Sequence, residues 1–87
     1  MRLEEIRQEI DQVDDAIVTL LEQRMNLVDQ VVALKKLTGT AVLDSKREDM
    51  IFARVADKVE NKNYKETIVA TFSDILKRSR EFQNKNI

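Results

Sequence analysis

Residues 3 to about 37 carry one unbroken helical pattern of apolar positions. Two columns of a heptad repeat run through this segment and together form a single stripe. One column consists of Ile6, Val13, Leu20, Leu27 and Leu34, and the other of Ile10, Ile17, Arg24, Val31 and Thr38. Gly39, the only glycine of the chain, follows at the place where a helix C-cap belongs. The pattern therefore predicts a long first helix over about residues 3–37.

Two shorter helices are predicted after a loop at residues 38–43, over about residues 45–60 and 64–83. Ser45 with Glu48 fits a capping box at the start of the second helix, and Asp44 is an alternative N-cap. Asn63 with Glu66 marks a similar start for the third. The predicted inner faces are apolar at helical spacing: Ile51, Phe52, Val55, Ala56 and Val59, then Ile68, Phe72, Ile75, Leu76 and Phe82. We therefore expect an all-α fold, with residues 1–87 forming a single domain of three helices.

The length of the first helix predicts the assembly. A helix of about 35 residues is roughly 50 Å long, whereas a compact chain of this size is roughly 30 Å across. The first helix must therefore extend beyond any core that the two shorter helices can form with it. Because its apolar stripe continues to the far end, a second copy of the chain is expected to cover it, and we predict a homodimer.

The composition narrows the chemistry. The chain has 15 basic and 16 acidic residues and neither histidine nor cysteine. A nucleic-acid-binding protein usually has a net basic surface, which is missing here. Without imidazole or thiol, the common nucleophile–base pairs and thiolate metal sites are excluded. Asp11, Asp14 and Asp15 are interpreted as a solvated face, so no metal site is predicted.

The same sequence predicts a cytoplasmic protein. No apolar run approaches the roughly 20 residues that a membrane-spanning helix needs. The amino-terminal residues are amphipathic and contain no signal-peptide core. The lack of cysteine fits a reducing compartment.

Arg24 interrupts the apolar stripe, and a buried guanidinium without a partner is unfavourable. A structural role, through a pair with Glu22 or extension to solvent, and a binding role are about equally supported by this residue alone. Lys35 lies within about 20° of Arg24 on the helical wheel and about 16 Å along the axis, so both could reach one ligand. Arg7 lies about 25 Å from Arg24, too far within one helix, but a partner chain could supply it.

Further polar residues interrupt the inner faces of the two shorter helices. They are Asp44, Arg47 and Glu48 at the start of the second helix, and Ser79 and Gln83 near the end of the third. Together with Arg24 and Lys35 they predict a mostly cationic pocket inside an apolar bundle. By contrast, Lys77, Arg78 and Arg80 are interpreted as surface charges without a role.

In order and spacing these residues resemble the small all-helical chorismate mutases over nearly the whole chain. The matching pieces are Ile6-Arg7, Ile10-Asp11 with Asp14, Leu20-Leu21-x-x-Arg24, Lys35, Asp44-x-x-Arg47-Glu48 and Ser79-x-x-x-Gln83. None of them is specific alone, but their joint order and spacing is. The resemblance implies a monofunctional enzyme without cofactor or metal. It would convert chorismate to prephenate in phenylalanine and tyrosine biosynthesis, as an intertwined homodimer of three-helix chains.

The resemblance also implies the site residues and their roles. Each site would take Arg24, Lys35, Asp44, Arg47, Glu48, Ser79 and Gln83 from one chain and Arg7 from the other. Arg7 and Arg24 would bind the two substrate carboxylates, and Lys35 and Gln83 would donate to the ether oxygen. Glu48 and the backbone at Asp44 would hold the ring hydroxyl, while Arg47 and Ser79 would complete the polar wall. Among these, Lys35, Gln83, Glu48 and Arg24 are the expected catalytic residues.

Two other functions remain open at this level. A similar cationic pocket on the same scaffold serves isochorismate-pyruvate lyases, and Glu48 favours the mutase by resemblance. A non-catalytic helical dimerisation module would leave Arg24, Lys35 and Gln83 unexplained as a set. Another enzyme of the shikimate pathway is a conceivable partner, but no feature of the sequence identifies a surface for it.

Overall fold

The computed structural model describes residues 2–87 and is almost entirely helical. Helix α1 spans Leu3–Thr38, α2 spans Ser45–Lys58 and α3 spans Lys65–Asn86, with one 3-10 turn at Lys62–Tyr64. The predicted all-α class with three helices and a long first helix is thus confirmed. Compared with the predicted bounds, α2 ends two residues earlier and α3 continues three residues further.

The end of α1 follows from the predicted glycine cap. Gly39 adopts a left-handed conformation with φ of 69°, which residues with a Cβ rarely adopt. Its N–H donates to the carbonyl oxygen of Lys35 at 2.9 Å, so the last turn of the helix keeps a hydrogen-bond partner. Beyond this cap the chain leaves the axis of α1, and the following loop places the carbonyl oxygen of Val42 within hydrogen-bond distance of Lys35.

The starts of the other two helices differ from the capping boxes suggested above. Asp44 is the N-cap of α2, and its Oδ1 accepts a hydrogen bond from the backbone N–H of Arg47 at 3.0 Å. The Ser45–Glu48 box was wrong. Before α3, the Asn61 side chain accepts from the N–H of Asn63 at 3.0 Å. That bond closes a 3-10 turn, so Asn63 lies inside the turn and does not cap α3.

The predicted inner faces of α2 and α3 form the core. Its buried residues are Ile51, Val55 and Leu76, and the partly buried side chains around them are Phe52, Ile68, Val69 and Phe72. Helix α3 packs against both other helices. Helix α1 buries Val28 and Val32. The core is therefore centred on α3, and the functional side chains at the end of α3 are held close to both neighbours.

Helix α1 extends well past this core. The molecule measures 54 × 24 × 16 Å and has a radius of gyration of 15.9 Å, compared with about 12 Å for a compact chain of this length. Every residue from Leu3 to Gln23 is exposed. Exposed apolar side chains along this half include Ile6, Ile10, Val13, Ile17 and Leu20. A single chain thus leaves most of the apolar stripe of α1 uncovered.

Among residues 2–87, no helix is both long and apolar enough to cross a lipid bilayer.

Candidate active site

A pocket of about 290 Å³ lies where the second half of α1, the start of α2 and the end of α3 meet. Seven of the eight residues expected at the site line it, namely Arg24, Lys35, Asp44, Arg47, Glu48, Ser79 and Gln83. Apolar side chains, among them Val28, Ile51 and Leu76, form the rest of the wall. The eighth residue, Arg7, lies on the exposed half of α1 and does not reach this pocket within its own chain.

Arg24 projects from the middle of α1 into this pocket. Its Nη1 is buried and has no hydrogen-bond partner. Burial lowers the pKa of Arg24 from its ordinary value, and the positive charge of Arg47 lowers it further. A guanidinium nevertheless stays protonated at neutral pH. The site therefore contains a partly desolvated positive charge with a free donor.

Neither structural explanation of Arg24 fits this geometry. Within residues 2–87, no carboxylate comes within ion-pair distance of Arg24, and the exposed Glu22 is not its partner. The buried Nη1 also excludes a side chain that extends fully into solvent. An anionic ligand that enters the pocket would supply the missing counter-charge and acceptor.

A hydrogen-bonded chain joins α1 to α3 at one end of the pocket. The Nζ of Lys35 donates to the carbonyl oxygen of Val42 at 2.9 Å and to Oε1 of Gln83 at 3.0 Å. The Nε2 of Gln83 donates in turn to Oγ of Ser79 at 3.3 Å. Ser79 and Gln83 are both buried. The ammonium group of Lys35 is thus held in place by two acceptors, and the amide of Gln83 has a defined orientation.

Glu48 has a partner that the sequence analysis missed. Nη1 of Arg80 donates to both oxygens of the Glu48 carboxylate, at 2.5 and 2.6 Å. Both side chains are partly buried and line the pocket. The interpretation of Arg80 as a surface charge was therefore wrong. Arg78, which pairs with Glu81 at 2.9 Å and is 75% exposed, does lie on the surface.

Helical spacing could have located Arg80. It lies four residues after Leu76 and three before Gln83, positions that share one face of a helix. The run Lys77-Arg78-Ser79-Arg80 suggested a solvated stretch because it was treated as a charge cluster. Reading each position by its angle around the helix would have separated Arg80 from its exposed neighbours.

The charged side chains around the pocket favour a dianion. Four basic residues line it, Arg24, Lys35, Arg47 and Arg80, together with two acidic residues, Asp44 and Glu48. The lining therefore has a net charge of +2. Asp44 is engaged as the cap of α2 and Glu48 by Arg80, which leaves Arg24 as the cation with a buried donor and no partner.

Within residues 2–87, no three acidic side chains come together in an arrangement that could hold a metal ion.

Replacing Arg24 with Met should stabilise the ligand-free protein. The change removes a buried donor without a partner and keeps the apolar stem, so the free energy of unfolding should rise by up to about 1 kcal/mol. Urea unfolding followed by circular dichroism at fixed protomer concentration measures this. Arg54→Met on the exposed face of α2 is the matched control and should change little. A clear loss of stability in Arg24→Met would mean that Arg24 is already paired.

Comparison with known proteins agrees with the resemblance noted in the sequence. The family model for chorismate mutase type II matches residues 6–84, nearly the whole chain. The chain is also similar to the chorismate mutase of Methanocaldococcus jannaschii, with 30% identity over 94 residues that cover 98% of this chain and 95% of the relative. No solved structure gives a significant match. With this pocket, this helical fold and a match along almost its full length, the chain belongs to the chorismate mutase type II family.

Proposed function

We propose that this chain rearranges chorismate to prephenate, as a homodimer in which each of two sites receives Arg7 from the partner chain. The observation that carries the proposal is the buried, unpartnered Nη1 of Arg24 in a pocket with a net charge of +2. Family membership supports the reaction. Chorismate carries two carboxylates, so its charge complements this lining.

The reaction suits the residues that are present. A [3,3] rearrangement is unimolecular and requires no nucleophile, so a chain without histidine or cysteine is not at a disadvantage. The enzyme needs to hold the flexible substrate in a compact conformation in which the reacting carbons are close. It must also stabilise the negative charge that develops on the ether oxygen as the C–O bond breaks.

Lys35 is suited to the ether oxygen because its ammonium group is oriented before substrate binds. An ammonium has three N–H donors, and those of Lys35 toward Val42 and Gln83 occupy two of them. The third remains for a ligand. Such a fixed donor acts most strongly where charge appears in the transition state, so it raises kcat more than it lowers KM.

Gln83 supplies a second donor in the same region. Its amide has two N–H groups, and Ser79 accepts one of them, which leaves the other for the ether oxygen. Because an amide is neutral, it donates without having to be protonated first. Arg24 then binds one carboxylate of the substrate, and a planar guanidinium is well suited to this contact.

The second carboxylate requires Arg7, and this requirement supports a dimer. Seventeen residues separate Arg7 from Arg24, about 25 Å along one helix, so a chain cannot bring its own Arg7 to its own pocket. The exposed apolar stripe on the same half of α1 needs a cover, since soluble monomers rarely expose apolar surface of this extent. A second copy that packs along this stripe supplies both the cover and the arginine.

Incubation with chorismate, and separately with isochorismate, tests the activity. We expect chorismate to be consumed and prephenate to be the only product, identified by chromatography against standards. Salicylate and pyruvate formed from isochorismate would instead identify the lyase reaction. Consumption of neither compound would favour a dimerisation module and overturn the proposed function.

Lys35→Ala should lower kcat about 100- to 1,000-fold with a smaller change in KM, as expected for loss of a donor to developing charge. Gln83→Ala should act in the same direction. The matched control is Lys36→Ala, which removes an exposed lysine from the same helical turn and should leave both constants unchanged. Steady-state kinetics with chorismate provide the values. Near-wild-type turnover by Lys35→Ala would exclude this mechanism.

Mixing inactive subunits tests the shared site. Arg7→Ala and Arg24→Ala should each be impaired alone, whereas a heterodimer of the two has one site with every residue intact. After subunit exchange at equal concentrations, we expect recovery toward about one quarter of wild-type activity, since about half of the dimers are mixed. A mixture of Arg24→Ala with Lys35→Ala is the control and should recover nothing. Verified exchange without recovery in the first mixture would show that Arg7 does not act across the interface.

A further inference from the structure

The ion pair between Arg80 and Glu48 joins two elements at the wall of the pocket. Glu48 lies in the first turn of α2 and Arg80 near the end of α3, 32 residues later. Nη1 of Arg80 lies between the two carboxylate oxygens, at 2.5 and 2.6 Å. The exposed fractions of the two side chains are 31% for Arg80 and 18% for Glu48. Because both side chains are partly shielded from water, this contact is screened less than a fully exposed pair.

A second ion pair on α3 is exposed to solvent and serves as a comparison. Arg78 and Glu81 lie three residues apart on α3, and their side chains are 75% and 45% exposed. Such pairs contribute little because water screens them and both side chains lose freedom. Neither residue lines the pocket that contains Lys35, Glu48 and Gln83, although Arg78 borders a separate apolar pocket that Arg24 also lines. Arg80 and Glu48 both line the former pocket, so their pair fixes groups that face the ligand.

Without Arg80, Glu48 would be poorly suited to this place. Its carboxylate would face a dianionic substrate as a free negative charge, on a side chain with several rotatable bonds. Arg80 offsets that charge and restricts the rotamers. A carboxylate has about four acceptor positions, so the oxygens that bind Nη1 of Arg80 can still accept a hydrogen bond from a hydroxyl group.

We propose that Arg80 is a positioning residue, which holds the Glu48 carboxylate in the orientation that accepts the ring hydroxyl of the substrate. This inference rests on the proposed function, because it assigns Glu48 that contact. Arg80 itself does not touch the substrate. It prepares the acceptor in the free protein, so that binding does not have to order it.

A double-mutant cycle separates this role from direct binding. Arg80→Gln should raise KM about tenfold, in the range seen when a group that orients a ligand-binding side chain is lost, while kcat changes less than about threefold. In a Glu48→Gln background the same replacement should raise KM no more than about twofold, because there is no carboxylate left to orient. Arg80→Lys keeps the charge without the planar guanidinium and should be intermediate. Arg78→Gln is the matched control and should leave KM unchanged.

Each outcome decides between distinct explanations. An equal rise in KM in both backgrounds would mean that Arg80 acts on the substrate directly or by charge alone, and would overturn the inference. A fall in apparent kcat at constant KM would indicate a smaller folded fraction and a structural role, which also overturns it. If the wild-type protein does not convert chorismate, the proposed function fails and this inference fails with it. If the wild type converts chorismate but the effects of the Arg80 and Glu48 replacements on KM are additive, the positioning role of Arg80 is rejected and the proposed function stands.

Discussion

The positive charge of Arg24, partly buried within the apolar stripe of α1, is the constraint on which the rest of the site depends. Its Nη1 has no acceptor, and both burial and the charge of Arg47 lower the pKa of Arg24. A buried donor without a partner is unfavourable by about 1–3 kcal/mol. The free protein carries that unfavourable energy, which a bound carboxylate would relieve. The pocket is in this sense incomplete without an anion.

Lys35, Glu48 and Gln83 are, by contrast, already paired. Lys35 is oriented by Val42 and Gln83, and Glu48 is held by Arg80. The contacts made by Gln83 and Arg80 depend on α3, which packs against both other helices and brings its carboxyl-terminal half to the pocket. Groups that are ordered before the substrate arrives do not reorganise during the reaction. One unsatisfied cation and several fixed donors are a combination suited to a charged, flexible substrate.

Periodicity explains why the sequence predicts so much of this fold. Every apolar position assigned to the inner faces of α2 and α3 is buried or partly buried, because a 3.6-residue period determines which side chains share a face. Gly39 marked the end of α1 for an equally local reason. Most residues expected around the pocket, Arg24 and Gln83 among them, also line it. Their inward positions follow from the same period.

The features that the sequence did not predict are hydrogen bonds and ion pairs for which more than one side chain was available. Ser45 and Asp44 could both cap α2, and the choice follows from which oxygen reaches the N–H of Arg47. Glu48 was expected at the site, with the capping box as an alternative, but its partner Arg80 was not foreseen because that residue comes from another helix. Asn61 closes the turn before α3, so Asn63 does not cap that helix. Contacts between distant segments are not contained in local propensity.

We propose that a bound dianion matches the charge of Arg24. Thermal unfolding of wild-type protein and of Arg24→Met, each with and without prephenate, tests it directly. At about 100 times the dissociation constant, a ligand stabilises the folded state by about 2.7 kcal/mol. We predict that prephenate raises the Tm of the wild type and leaves that of Arg24→Met unchanged at the same concentration. An equal rise in both proteins would contradict the account, because the dianion would then bind without the buried guanidinium.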